Sequence, residues 1–133
     1  MGYFAETVDV DFTIPADKVA PALEALKENF GEYPTLDAAV EEWMCIEDCE
    51  EDSVAGFALG CNTDKYLSRT DELLTALGQF ANEGSYVRFR GEDGTLWGFR
   101  VIDGRLRDES GSYTWVVDPP RFPFPAGARH RLM

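Results

Sequence analysis

Three cysteines, one histidine and a dense run of acids are the residues of this chain best suited to chemistry. Cys45 and Cys49 are four apart, so a helix would bring both thiols to one face, and Cys61 or His130 could complete a zinc tetrahedron. Structural zinc usually takes two close ligand pairs, and this chain has one. Free cysteine is also among the residues most often buried for packing alone. An odd number of cysteines argues against a complete disulfide framework. The expectation is three reduced, metal-free thiols. His130 stands three residues from the C-terminal end, in a proline-rich stretch that offers no third group to orient it, so no Ser-His-Asp set assembles. There is no Walker-type glycine loop and no GxGxxG opening a helix. No cofactor is expected.

The acids are the stronger signal. Glu41, Glu42, Glu47, Asp48, Glu50, Glu51 and Asp52 place seven carboxylates in twelve residues. Their order does not match a calcium loop, which needs Gly at its sixth position and Glu at its twelfth. Burying unpaired carboxylates costs several kcal/mol each, so this segment is expected to be solvated and, if it functions, to meet a basic protein surface and speed its approach. The whole chain shows the same bias: residues 1–85 carry 19 acids against 4 bases, residues 86–133 carry 8 arginines against 6 acids, and the net charge is −13. Such a field repels phosphate backbones and anionic membranes.

One region runs against that field. Arg88, Arg90, Arg100, Arg105 and Arg107 interleave with Tyr86, Trp97 and Phe99, which superficially fits nucleic-acid stacking. With an acidic half beside them, these arginines are expected to neutralise carboxylates, and direct nucleic-acid binding is not expected. The acids of the first strand, the first two helices and the Glu41 to Asp52 segment also admit an imitation of DNA, which carries one charge per about 1.7 Å of axis, as anti-restriction and immunity-type inhibitors do. A small carboxylate-dependent hydrolase is a third reading, since acid pairs and arginines alone can cleave glycosides or phosphates.

The elements that must position these groups are read from periodicity. Val8, Val10, Phe12 and Ile14 alternate with Asp9, Asp11 and Thr13, a half-buried strand ended by Pro15. Asp17 can cap a helix carrying Val19, Leu23, Leu26 and Phe30, with Pro21 awkward inside it and Gly31 at its end. A second helix follows Thr35, with Leu36, Val40 and Trp43 inward. Residues 46–52 read as a solvated loop or strand edge, and a strand spans Val54 to Gly60. Ser68 or Thr70 can cap a third helix bearing Leu73, Leu74, Leu77 and Phe80. Two Asp-Gly turns, at 93–94 and 103–104, join Val87/Phe89, Trp97/Phe99/Val101 and Leu106 into a meander. Tyr113 to Val117 offers a further strand. The fold class is therefore α+β: an antiparallel or mixed sheet with a C-terminal β-meander and about three helices packed on one face.

The chain's 133 residues suit one domain that buries about two-thirds of its unfolded surface. The expected division is a domain over 1–118 and a proline-rich tail over 119–133. No apolar run approaches the ~18 residues of a membrane span, and the start lacks a signal-peptide pattern, which points to the cytoplasm. Met1-Gly2-Tyr3-Phe4, together with Gly91-Glu92-Asp93-Gly94, Trp97 and Asp103-Gly104-Arg105, resembles small proteins of actinobacteria and their phages. These likewise start on a Met-Gly-Tyr strand and end in a Trp-bearing hairpin with a second Asp-Gly turn. The resemblance implies no activity and no catalytic residues. The functional expectation is a non-enzymatic acidic binding protein, a small phage or bacterial accessory protein that docks on a basic surface of a partner protein.

Overall fold

The computed structural model describes residues 3–62 and 65–112. The expected strand at Tyr113–Val117, the boundary at residue 118 and the tail with His130 lie outside the described residues. In chain order the elements are β1 (Tyr3–Asp11), β2 (Thr13–Ile14), α1 (Ala16–Leu26), α2 (Leu36–Met44), β3 (Glu50–Asp52), β4 (Gly56–Ala58), β5 (Lys65–Tyr66), α3 (Thr70–Gly78), β6 (Tyr86–Gly91), β7 (Leu96–Ile102) and β8 (Arg105–Ser110). They form a five-stranded sheet of order β5-β1-β6-β7-β8 and a three-stranded sheet of order β2-β4-β3. Every pairing is antiparallel, so of the two expected sheets the antiparallel one is found.

The meander follows its sequence closely. Val87 pairs with Phe99 and Phe89 with Trp97, which puts the apolar set on one face. Ile102 pairs with Arg105 across a two-residue turn in which Asp103 (φ 55°) and Gly104 (φ 75°) are both left-handed, the geometry that matches strand twist. An aromatic stack covers this inner face: Phe89 and Trp97 lie 5.4 Å apart between centroids, and Tyr66 meets both edge-on.

The first strand departs from its expected alternation. Its pairing with β6 jumps from Thr7↔Phe89 to Asp9↔Arg88, leaving Val8 as the extra residue of a β-bulge. A bulge inverts side-chain parity. Ala5 and Thr7 therefore face inward before it, Val10, Phe12 and Ile14 after it, and Val8 is left 46% exposed rather than in the core.

Helix ends depend on local chemistry in part. The hydroxyl of Thr35 accepts from the backbone N–H of Ala38, 3.1 Å, and caps α2. Gly31, at φ 107°, ends the turn after α1 with its N–H on the Leu26 carbonyl. Two expected caps are not used. Pro15, not Asp17, occupies the N-cap of α1, and Arg69 precedes α3 without a side-chain cap. Thr70 is instead buried inside the helix, and Arg69 lays its guanidinium over Phe30 (4.2 Å) and Trp43 (5.1 Å), tying the three helices together. Pro21 sits mid-helix on an exposed face, where its missing N–H costs one intrahelical bond.

The helices pack on one another, α1 also against β4 and α3 also against β8. Phe12, Ile14, Leu26, Leu36, Met44, Phe57, Leu73, Leu77 and Phe89 form the centre of the core. Among the described residues no helix is long and apolar enough to cross a membrane.

Candidate functional site

The seven acids singled out by sequence fall on the end of α2, the following loop and β3. Cys45, left-handed at φ 59°, stops α2 and turns the chain. Ile46 then drops into the core with no exposed surface, and Cys49 is half-buried against it. Of the solvated loop or strand edge expected over 46–52, a strand edge is found at 50–52, and two apolar side chains interrupt the acids and pin the segment down. Strand β3 follows as the edge of the small sheet, paired among the described residues with β4 alone.

Pinning divides the acids into two sets. Glu51 is turned inward and accepts from the N–H groups of Asp37 (3.0 Å) and Leu36 (3.3 Å), so it satisfies orphan donors at the positive end of α2. Asp52 accepts from Val54 (2.8 Å) and Ala55, and these backbone donors, Ala55 first, hold its carboxyl below the usual range. Asp48 accepts from the N–H of Cys61, 2.9 Å. A Cβ on Gly60 would come within 2.0 Å of that same carboxylate oxygen, which accounts for the glycine. These three acids are structural. Glu41, Glu42, Glu47 and Glu50 project into solvent. Glu42 lies near the Tyr33 hydroxyl, whose pKa is raised first by burial and then by that carboxylate. Glu41, Glu47 and Glu50 have neither an ion pair nor a side-chain hydrogen bond with any described residue, and none of the seven acids meets a described Lys or Arg.

The β3–β4 hairpin ends in Val54, the most exposed large apolar residue described, at 90%. Its base is tight: Gly56, at φ 95°, sits where a Cβ would be 2.2 Å from the Ile14 carbonyl oxygen. A firm hairpin therefore presents one valine beside carboxylates, a feature that acid counting alone does not reveal.

The cysteines are free. Cys49 accepts from the N–H of Gly60 at 3.3 Å, and its thiol is pushed up to about 12, chiefly by burial, with Asp37, Asp48 and Glu51 adding to the rise and the Gly60 donor opposing it. Such a thiol is a poor nucleophile at neutral pH. Among the described residues no group of three His, Cys, Asp or Glu is placed to hold a metal ion.

The arginines of the meander occupy the outer face of the large sheet. Arg88 meets Glu109 (3.2 Å) and Asp9 (3.8 Å), Arg100 meets Glu109 (2.8 Å), and Arg90 pairs with Glu6. Tyr86 donates to Asp9, and its ring is flanked by the guanidiniums of Arg88 (4.8 Å) and Arg100 (4.6 Å). Arg100 first, then Arg88, hold the Glu109 carboxyl below the usual glutamate range against the opposing effect of burial. Trp97 and Phe99 face the other way, so of the three aromatics that suggested base stacking only Tyr86 shares the arginine face. Arg105 and Arg107 on β8 have no ion pair among the described residues. Comparison of the chain with family models, curated proteins and solved structures finds no match.

Proposed function

We propose that the protein is a non-enzymatic binding protein whose α2–β3–β4 acidic unit docks on a basic surface of a partner protein. The observation that carries this reading is the absence of any described cation against seven acids in a chain where Glu6, Asp9 and Glu109 of the large sheet are ion-paired. Like charges held side by side repel, and a partner's Lys and Arg would relieve that repulsion. Val54 supports the same reading, because an apolar side chain inside a charged rim can be desolvated on docking. The likeness of the chain's start and its Asp-Gly hairpins to small actinobacterial and phage proteins suits an accessory role in the cytoplasm. An inhibitor imitating DNA is a stricter version of this reading. It would have to rely on the same unit, since Glu6 and Asp9 on β1 are taken up by Arg90 and Arg88.

The test starts with an affinity pull-down from the native host and mass spectrometry of what is captured. Glu41, Glu47 and Glu50 are then replaced together by Gln, leaving the three structural acids in place. Binding to the captured partner should weaken and lose most of its salt dependence while the fold is retained. Unchanged affinity and salt response would reduce these carboxylates to a solubilising face.

A further inference from the structure

The outer face of the large sheet carries a groove of about 370 Å³ to which the acidic unit contributes nothing. Its floor is Gly98, where a Cβ would stand 2.6 Å from the Val87 carbonyl oxygen, so any larger residue would collide with the neighbouring strand. Val8 and Leu96 are its apolar walls, and the Arg88–Glu109 pair lies between them. Val8 is there because the bulge on β1 throws it outward, which leaves a valine in water on a charged face. Two cations flank this groove on β8. The register sets Arg107 opposite Arg100 and Arg105 opposite the exposed Ile102, so both share the groove's face. Neither has an ion pair among the described residues. In a chain of net charge −13, two unpaired arginines beside an apolar groove call for an occupant that is acidic with an apolar point.

We infer that the groove receives the β3–β4 hairpin of a second copy of this chain, with Val54 entering between Val8 and Leu96 and Glu50 reaching the arginines of β8. The inference rests on the reading of the α2–β3–β4 unit as a docking element and names the surface it docks on. The two surfaces are complementary in both respects: the hairpin has a bare valine with a projecting carboxylate behind it, and the groove has apolar walls with free guanidiniums beside them. Their spacings agree. From Gly98, Arg107 lies one strand over and two residues along, roughly 8 Å, and Arg105 roughly 14 Å. Glu50 precedes Val54 by four residues, about 13 Å of extended chain. The hairpin is also stiff, because Asp52 accepts from the N–H groups of Val54 and Ala55, so docking orders little that was free. Hairpin and groove are different surfaces, so the contact is heterologous and each copy can offer both at once. Copies of like net charge repel at a distance, but at physiological salt that field fades within about 8 Å, whereas pairs in contact persist.

The test is analytical ultracentrifugation of the full-length chain at physiological salt, from about 1 μM to about 1 mM. The weight-average mass of wild type should rise with concentration. A groove-side variant, Arg105→Glu with Arg107→Glu, and a hairpin-side variant, Glu50→Lys with Val54→Ser, should each need at least about tenfold more protein to reach the same mass. Mixed together, the two variants should form a 1:1 dimer and nothing larger, since the mixture holds one intact hairpin and one intact groove; that dimer also shows that both variants are folded. A wild-type chain that stays monomeric over the whole range would overturn the inference, as would association that survives both variants, or variants that fail to pair when mixed. The broader docking reading survives each of these results if another basic protein is captured from the host and the Glu41, Glu47 and Glu50 replacement by Gln weakens its binding. It falls with the inference if that replacement changes nothing.

Discussion

The outer sheet face and the α2–β3–β4 unit are both crowded with charge, yet they are built on opposite plans. On the sheet, Glu109 is shared by Arg88 and Arg100, Asp9 by Arg88 and Tyr86, and Glu6 meets Arg90. Each of these three carboxylates stands across a strand spacing from a cation, the arrangement that stabilises an antiparallel pair. In the acidic unit the carboxylates that are satisfied at all are satisfied by backbone N–H groups, and Oδ1 of Asp37, in the same corner, is buried without a hydrogen-bond partner among the described residues. The sheet uses charge to close on itself; the acidic unit leaves its charge unneutralised. Removing an acid should therefore weaken the first region and leave most of the second indifferent.

The largest expected effect tests whether the sheet is the rigid half of this comparison. Trp97→Ala removes the ring that Phe89, Tyr66 and Tyr3 pack against, and should cost on the order of 3–5 kcal/mol in a urea titration. A midpoint that does not move would mean that the aromatic stack is incidental.

Next comes a contrast inside the acidic unit. Glu51→Ala strips two capping interactions from the start of α2 and should cost about 1 kcal/mol, as other helix N-terminal caps do. Glu50→Gln, one residue away on the opposite side of β3, should be neutral or stabilising by a few tenths of a kcal/mol, because it removes only repulsion. Equal losses from the two would erase the division into structural and projecting acids.

That division was not legible in the sequence. The Asp103-Gly104 turn and the Val87/Phe89 alternation were, because a turn type and a strand period are written in a few adjacent residues. The start of α2 after Thr35 was legible for the same reason, though not the capping hydroxyl itself. The role of Glu51 depends on where β3 lies against a helix that starts fifteen residues earlier, and the bulge at Val8 depends on the register of a strand some eighty residues later. Ile46 was hidden by its neighbours: one apolar residue leading into a run of acids reads as part of the solvated stretch until α2 is seen to aim it at the core.

Glu109 sharpens the comparison through pH. Its folded-state pKa is held below the ordinary value of about 4.3, so the stability it contributes is present above that value and is lost as pH falls through the lowered one. Denaturant titrations from pH 7 to pH 2.5 should show wild type more stable than Glu109→Gln by a constant margin above pH ~4.5, narrowing below it. Glu50→Gln should show no such margin at any pH. A margin that persisted at the acid end would mean that Glu109 acts through packing and not through its charge.

The smallest effect reads the field of the acidic unit from inside. Cys49 has its thiol pushed up to about 12, mainly by burial and further by Asp37, Asp48 and Glu51, whereas Cys61 is exposed. At pH 8 a thiol reagent should therefore modify Cys61 quickly and the folded chain's Cys49 far more slowly. With Cys45 and Cys61 replaced by Ser, the pH dependence of the Cys49 reaction isolates the electrostatic part. Asp48→Asn removes one neighbouring charge while an amide oxygen can still accept from the Cys61 position, so it should shift that profile to lower pH without exposing the thiol. Burial alone would leave the profile where it is. A shift would instead show that the acids act on one another's surroundings before any partner arrives, a repulsion that a basic surface could relieve on binding.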